Sequence, residues 1–129
     1  MRVLAVDHGT VRCGLAISDA SGTIARPLDE VGPDAAAIAA RAEAEGAEEI
    51  VVGLPLTPSG DHGEQAELAE AFAEELRRST QLTVATYDER LTTSQAEASR
   101  RSGARSSLDA VAAAHLLESY LSARERRVR

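Results

Sequence analysis

This sequence has no lysine and no tryptophan, and only one cysteine, one phenylalanine and two tyrosines. All 14 basic residues are arginine, which removes a P-loop lysine and Schiff-base chemistry from consideration. The lone thiol, Cys13, excludes an internal disulfide and makes a reducing cytoplasm the natural expectation. Aromatic residues make up 2% of a chain that is 43% hydrophobic, so the core must be built from Ala, Val, Leu and Ile. No apolar run approaches the ~20 residues that span a bilayer, so no membrane partner is expected. The opening Met1-Arg2-Val3-Leu4-Ala5-Val6-Asp7 is too short and too soon acidic to read as a signal peptide. His8, His62, His115 and Cys13 lack the spacing of a zinc site.

What the chain does have is an uneven distribution of charge. The net charge of −7, taken alone, argues against a nucleic-acid partner. Residues 1–75 hold 4 Arg and 15 Asp or Glu, a balance of −11, whereas residues 76–129 hold 10 Arg and 6 Asp or Glu, a balance of +4. A polyanion can therefore dock on the C-terminal half, where arginine is the better bidentate phosphate ligand.

A length of 129 residues suits one domain covering 1–129. Residues 2–7 and 13–18 read as strands, with Thr23-Ile24-Ala25-Arg26 as a weak third. The links are short, which favours antiparallel neighbours. Gly32-Pro33-Asp34 opens a helix that runs to about Glu45 and stops at Gly46. Glu49 to Pro55 is a buried strand. Asp61 and Glu64 have capping-box spacing, and the helix they open carries Ala69, Phe72, Ala73 and Leu76 on one face. Leu82 to Tyr87 is a further strand. Thr92 and Gln95 can cap a helix over roughly 93–102, residues 103–107 form a loop, and a last helix runs from Leu108 to about Ala123 before an Arg-rich end expected to be solvated. The expected class is α/β: a five-stranded mixed sheet, the first three strands antiparallel, with helices on its faces and helical crossovers making strands one, four and five parallel.

Sites in such sheets gather beyond the carboxyl ends of the parallel strands. Asp7 ends a short apolar run that reads as the central strand, and a carboxylate there costs free energy unless it has a partner. Glu89 ends another candidate parallel strand, and Asp109 lies in the first turn of the last helix. In one crevice the three would repel, and one or two would hold protons. A Mg²⁺ or Mn²⁺ ion removes that conflict with two or three carboxylates and can activate water and stabilise a leaving oxygen in phosphodiester hydrolysis. Spacing alone is a weak signal, because a free choice of topology brings any three acids together. Plainer readings stay open: Asp7 capping its own turn, Glu89 pairing with Arg90 or Arg12, and Asp109 as a dipole-favoured acid behind an N-capping Ser107. Arg12 and Arg90 can hold phosphate or form structural ion pairs. His8 should point away from Asp7, to the other face of the strand.

The residues carry a resemblance that sharpens this. The stretch Asp7-His8-Gly9-Thr10-Val11-Arg12-Cys13-Gly14-Leu15-Ala16-Ile17-Ser18-Asp19 resembles the opening motif of the YqgF family, also called RuvX. Val51-Val52-Gly53-Leu54-Pro55-Leu56, with Gly60, Gly63 and Gln65-Ala66 after it, is similar to the family's second motif. Asp88-Glu89-Arg90-Leu91-Thr92-Thr93 resembles the third, and Asp109 through Tyr120-Leu121 the closing helix. The four blocks cover nearly the whole chain in the family's order. The resemblance implies a ribonuclease H-like fold and metal-dependent cleavage, with Asp7, Glu89 and Asp109 as catalytic and metal-binding acids and Mg²⁺ or Mn²⁺ as the ion. It implies a pre-16S ribosomal RNA nuclease or a Holliday junction resolvase-like enzyme. Nucleic acid is the expected partner, RNA favoured and branched DNA second, with Thr10, Arg12 and Arg90 on the substrate, and a homodimer is left open. Two departures both remove positive charge: Val11 stands where the family often has Lys, and the 103–107 loop is short. The rivals are an ATP-binding module, which needs more chain than this, and a non-catalytic binding or regulatory protein on a nuclease fold.

Overall fold

A computed structural model describes residues 1–91 and 108–128 of the chain. Five strands form one sheet in the order β3-β2-β1-β4-β5. They are β1 (Val3–Asp7), β2 (Cys13–Ser18), β3 (Ala25–Val31), β4 (Glu49–Leu54) and β5 (Thr83–Asp88). Strands β1, β2 and β3 form an antiparallel meander, while β4 and β5 run parallel to β1. The expected mixed sheet is therefore present, with β1 at its centre. Helices α1 (Ala35–Ala44), α2 (Glu64–Ser79) and α3 (Leu108–Val128) cover its faces.

Alternation along the strands splits the core in two. Leu4, Val6, Leu15, Ile17, Ile50 and Val52 point to one face, where they pack on Ile38 of α1 and on Phe72 and Leu76 of α2. Val3, Ala5, Ala16 and Val51 point to the other, against Ala113, Leu116, Leu117 and Leu121 of α3. Both faces of the inner strands are thus apolar, which is why β2 and β4 are buried from end to end. Small Ala-rich helix faces suit this sheet, because a core with so few aromatics closes by approach rather than by bulk. Side chains also pin α3 to the sheet. The Tyr120 hydroxyl donates to the buried Glu49 carboxylate, Arg124 lies 3.7 Å from the same acid, and the Tyr87 hydroxyl is 2.9 Å from that of Ser119.

Four local expectations need correction. Strand β3 starts at Ala25 and runs to Val31, well past Arg26. It is an edge strand, where Pro27 costs no ladder bond. Helix α1 begins after Pro33, with the Asp34 side chain as its N-cap, accepting from the Ala37 amide at 3.1 Å. The capping box at Asp61 does not form: Gly63 is the N-cap of α2. Asp61 is instead tied into its own loop, its carboxylate accepting from the Ser59 hydroxyl at 2.9 Å and its carbonyl from the Thr57 amide at 3.1 Å. Helix α3 continues to Val128, beyond Ala123, since arginine is a good helix former and the helix C-terminus favours cations. The helix expected over 93–102, with Thr92, Thr93 and Gln95, the 103–107 loop, the Ser107 cap and Arg129 lie outside the described residues.

Candidate active site

Strand register builds the site. Glu30 of β3 is paired with Gly14 of β2, and Gly14 with Asp7 of β1. Val6 pairs with Val52, which brings Asp7 alongside Gly53 of β4 at the carboxyl edge. Paired residues share a face. Asp7 continues the alternation of Val3 and Ala5, so this is the face that α3 covers.

The two glycines in this row make room for two acids. A Cβ on Gly14 would run into the main chain of Asp109 and Ala110. A Cβ on Gly53 would stand 2.5 Å from Glu89 Oε1 and 2.7 Å from its Cγ. The first turn of α3 therefore rests on Gly14, and the Glu89 side chain lies across Gly53. Glu89 is not in β5 but in the single 3-10 turn Glu89–Leu91 that follows it, and that turn folds the side chain back over the sheet. From edge to edge the row carries Glu30, Asp109, Asp7 and Glu89.

Asp7 stands beside Gly53, and the Glu89 side chain lies across that same glycine, so the two acids are neighbours at the edge. Burial, then the bond to and the charge of Asp7, then Asp88, push the Glu89 carboxyl up to about 9. Asp109 is also raised, chiefly by burial and then by the charges of Glu30 and Asp7, with Arg12 opposing. Among the described residues no group of three or more His, Cys, Asp or Glu is placed to hold a metal ion. The pair itself fits a hard divalent cation. Both side chains are oxygen donors, and they are held together at the cost of a retained proton that a cation would displace.

Both arginines expected at the substrate are engaged by acids of the chain. Arg12 Nη1 donates to Glu30 Oε1 at 2.7 Å, and its Nε lies 3.9 Å from Asp109 Oδ2. Arg90 grips Asp88 with Nε at 3.0 and 2.9 Å and Nη2 at 2.6 Å, while its Nη1 donates to the Pro58 carbonyl at 3.2 Å and ties down the loop after β4. Each acid in turn raises its arginine further. Thr10 is exposed in the turn between β1 and β2, beside the exposed Val11. His8 does point away from Asp7: its ring packs on Phe72 of α2 at 4.7 Å between centroids, and burial lowers its pKa despite Asp7 and Glu75. Cys13 is buried, as expected of a strand residue.

Sequence reasoning placed Asp88-Glu89-Arg90 at this edge but missed Glu30 as part of it and Asp88 as the partner of Arg90. Extending β3 across from Gly14 would have found Glu30. Asp88, at a spacing of two from Arg90, suits the ion pair that the structure shows.

The sheet order and the acids at the carboxyl edge of its parallel strands define an α/β domain with an acidic site over β1 and β4. Residues 1–123 match the family model described as RuvX: Holliday junction resolvase. A protein of Chloroflexus aurantiacus is 40% identical over 133 residues, covering 95% of this chain and 87% of its own, and one of an Anaeromyxobacter species is 42% identical over 135 residues, covering 96% and 98%. Both are named "Putative pre-16S rRNA nuclease". Among solved structures, Thermus thermophilus RuvC in complex with a Holliday junction substrate superposes with a TM-score of 0.65 at 16% identity, over 97% of this chain and 96% of that one. The fowlpox virus Holliday junction resolvase gives 0.53 at 14% identity, over 95% and 99%. At such identities these two establish the fold, a RuvC-like, ribonuclease H-like sheet. The chain belongs to the RuvX family of nucleases.

Proposed function

We propose that this protein is a divalent-metal-dependent nuclease that hydrolyses phosphodiester bonds, with RNA as its favoured substrate. The observation that carries the proposal is the placement of two acids side by side at the carboxyl edge of the sheet, Asp7 at the end of β1 beside Gly53 and the Glu89 side chain across that glycine. Asp7 and Glu89 would hold Mg²⁺ or Mn²⁺, with Asp109 completing the set. When bound, the ion supplies positive charge that polarises the phosphate and acidifies water. The chain's own groups bind and orient the substrate. Arg12 and Arg90 present guanidinium forks suited to a phosphate, and the Thr10 hydroxyl adds a donor in the exposed turn. The names of the relatives support precursor 16S rRNA as the substrate, with 5′-end processing as the task. The family description supports branched DNA as a second substrate class. A cytoplasmic setting suits both substrates and the single buried thiol of Cys13.

The test uses labelled single-stranded RNA, single-stranded DNA and a four-way DNA junction, each with Mg²⁺, Mn²⁺ or EDTA. Wild type should cut one of them only with metal. Asp7→Asn, nearly isosteric, should keep the fold and lose cutting by about a hundredfold or more, the scale of a lost metal ligand. Wild-type turnover in the mutant would remove Asp7 from the site. No cutting of any substrate with either metal would favour the binding-protein reading.

A further inference from the structure

We infer that Arg90 is a positioning residue for Glu89: stretched between Asp88 and the Pro58 carbonyl, it fixes the turn that folds the Glu89 side chain over the sheet. The inference rests on the nuclease reading above, in which Glu89 helps to hold a cation, and it gives Arg90 a task besides contact with a phosphate.

Glu89 stands just beyond β5, at the head of the 3-10 turn Glu89–Leu91, and such turns have poor hydrogen-bond geometry of their own. Its side chain is half-buried across Gly53, where a carboxylate gives up water. A short turn that holds an acid in such a place needs support from outside it. Asp88 and Arg90, on either side of Glu89, supply that support. Asp88 Oδ1 accepts from the Arg90 amide at 3.0 Å, which closes the backbone around Glu89 as an Asx turn does. The Arg90 guanidinium folds back on the same carboxylate through Nε and Nη2. Its Nη1 then reaches the Pro58 carbonyl at 3.2 Å, across 32 positions in sequence.

The far end of this brace is itself fixed. The Gly60 amide donates to the Thr57 carbonyl at 2.8 Å, and the Ser59 hydroxyl donates to the Asp61 carboxylate at 2.9 Å. Gly60 has a φ of 91°, in the left-handed region that favours glycine, and a Cβ there would stand 3.4 Å from Arg90 Nη1. The loop thus closes on the guanidinium. The strand that forms the floor under Glu89 and the loop that anchors its brace are one continuous stretch of chain. A planar fork spans both partners at once, which a single ammonium on a flexible stem does not.

Charge and geometry predict different outcomes. Arg90 brings a positive charge to this edge, so by charge alone its loss would leave cation binding unchanged or tighten it. Loss of a brace weakens it. The experiment measures Mn²⁺ affinity by calorimetry without nucleic acid, on wild type, R90A, R90K, E89Q and the R90K/E89Q double mutant. Each is checked for folding by circular dichroism at the assay temperature. R90K keeps the charge and loses the fork, and it carries the test by itself if R90A does not fold. Both variants are expected to bind Mn²⁺ about tenfold more weakly, the scale of a lost partner to a metal ligand. The double mutant should bind no more weakly than E89Q, because a brace without Glu89 has nothing left to hold. Wild-type affinity in R90K, the result of a role in phosphate contact alone, overturns the inference. So does tighter binding by R90A, a further loss in the double mutant, or a wild type with no Mn²⁺ affinity to lose. The nuclease reading fails by a separate sign, undiminished cleavage by Asp7→Asn.

Discussion

Glu89 is the residue on which the site's chemistry turns. Its carboxyl is raised from 4.5 to about 9, first by burial and then by Asp7. An acid whose pKa is raised in the fold favours folding while it is protonated, so its contribution is full below about 4.5 and is lost as pH climbs through 9. In EDTA the melting temperature should therefore fall across that window, Glu89→Gln should flatten the fall, and Mg²⁺ should restore stability at the alkaline end. Calorimetry against pH reads all three, and an unchanged slope in Glu89→Gln would refute the assignment. His8 is not part of this chemistry. Its ring is packed on Phe72 on the far side of β1, and a neutral imidazole is what burial favours there.

At the scale of elements, the glycines at paired positions of β2 and β4 decide how closely acids approach the sheet. Gly53→Ala would put a methyl group 2.5 Å from the Glu89 carboxyl oxygen, and Gly14→Ala would drive one into the start of α3. Each should cost about 1–3 kcal/mol by overpacking. Gly14→Ala should cost more, because it meets main chain whereas Gly53→Ala meets a side chain that can swing aside. Gly53→Ala should lose metal-dependent cleavage out of proportion to its stability, as chemical denaturation and a cleavage assay on one preparation would reveal. The elements differ in how far the sequence announces them. Strands β1, β2, β4 and β5 are continuous apolar or β-branched runs bounded by turn residues, so their positions and order are legible. Strand β3 is not, because Pro27, Asp29 and Glu30 look like a loop and only the edge position makes them acceptable in a ladder. Asp7 and the Glu89 neighbourhood are visible as motif acids. The contact between them, the seat of Asp109 on Gly14 and the grip of Glu30 on Arg12 depend on cross-strand register, which local pattern does not contain.

For the whole molecule, the governing quantity is a net charge of −7 with an excess of arginine in residues 76–129. Association with nucleic acid must work against the overall field and draw on a few local arginines. Affinity should fall linearly on a log–log plot as salt rises, with a modest slope of about −0.7 per phosphate engaged on a single strand. A titration from low to physiological salt measures it, and a flat line would count against an arginine docking face.

The row across the sheet has one more consequence. Where α3 meets β2, the position of Asp109 is set by main chain resting on Gly14 and not by the fit of bulky side chains. The same holds in part for Glu89 over Gly53. The spacing of the acids is therefore insulated from changes of size in the surrounding Ala, Val and Leu core. An engineer could harden the interior between the sheet and α1–α2 against heat, residue by residue, and leave the geometry of the acidic edge as it is, provided those two positions stay bare.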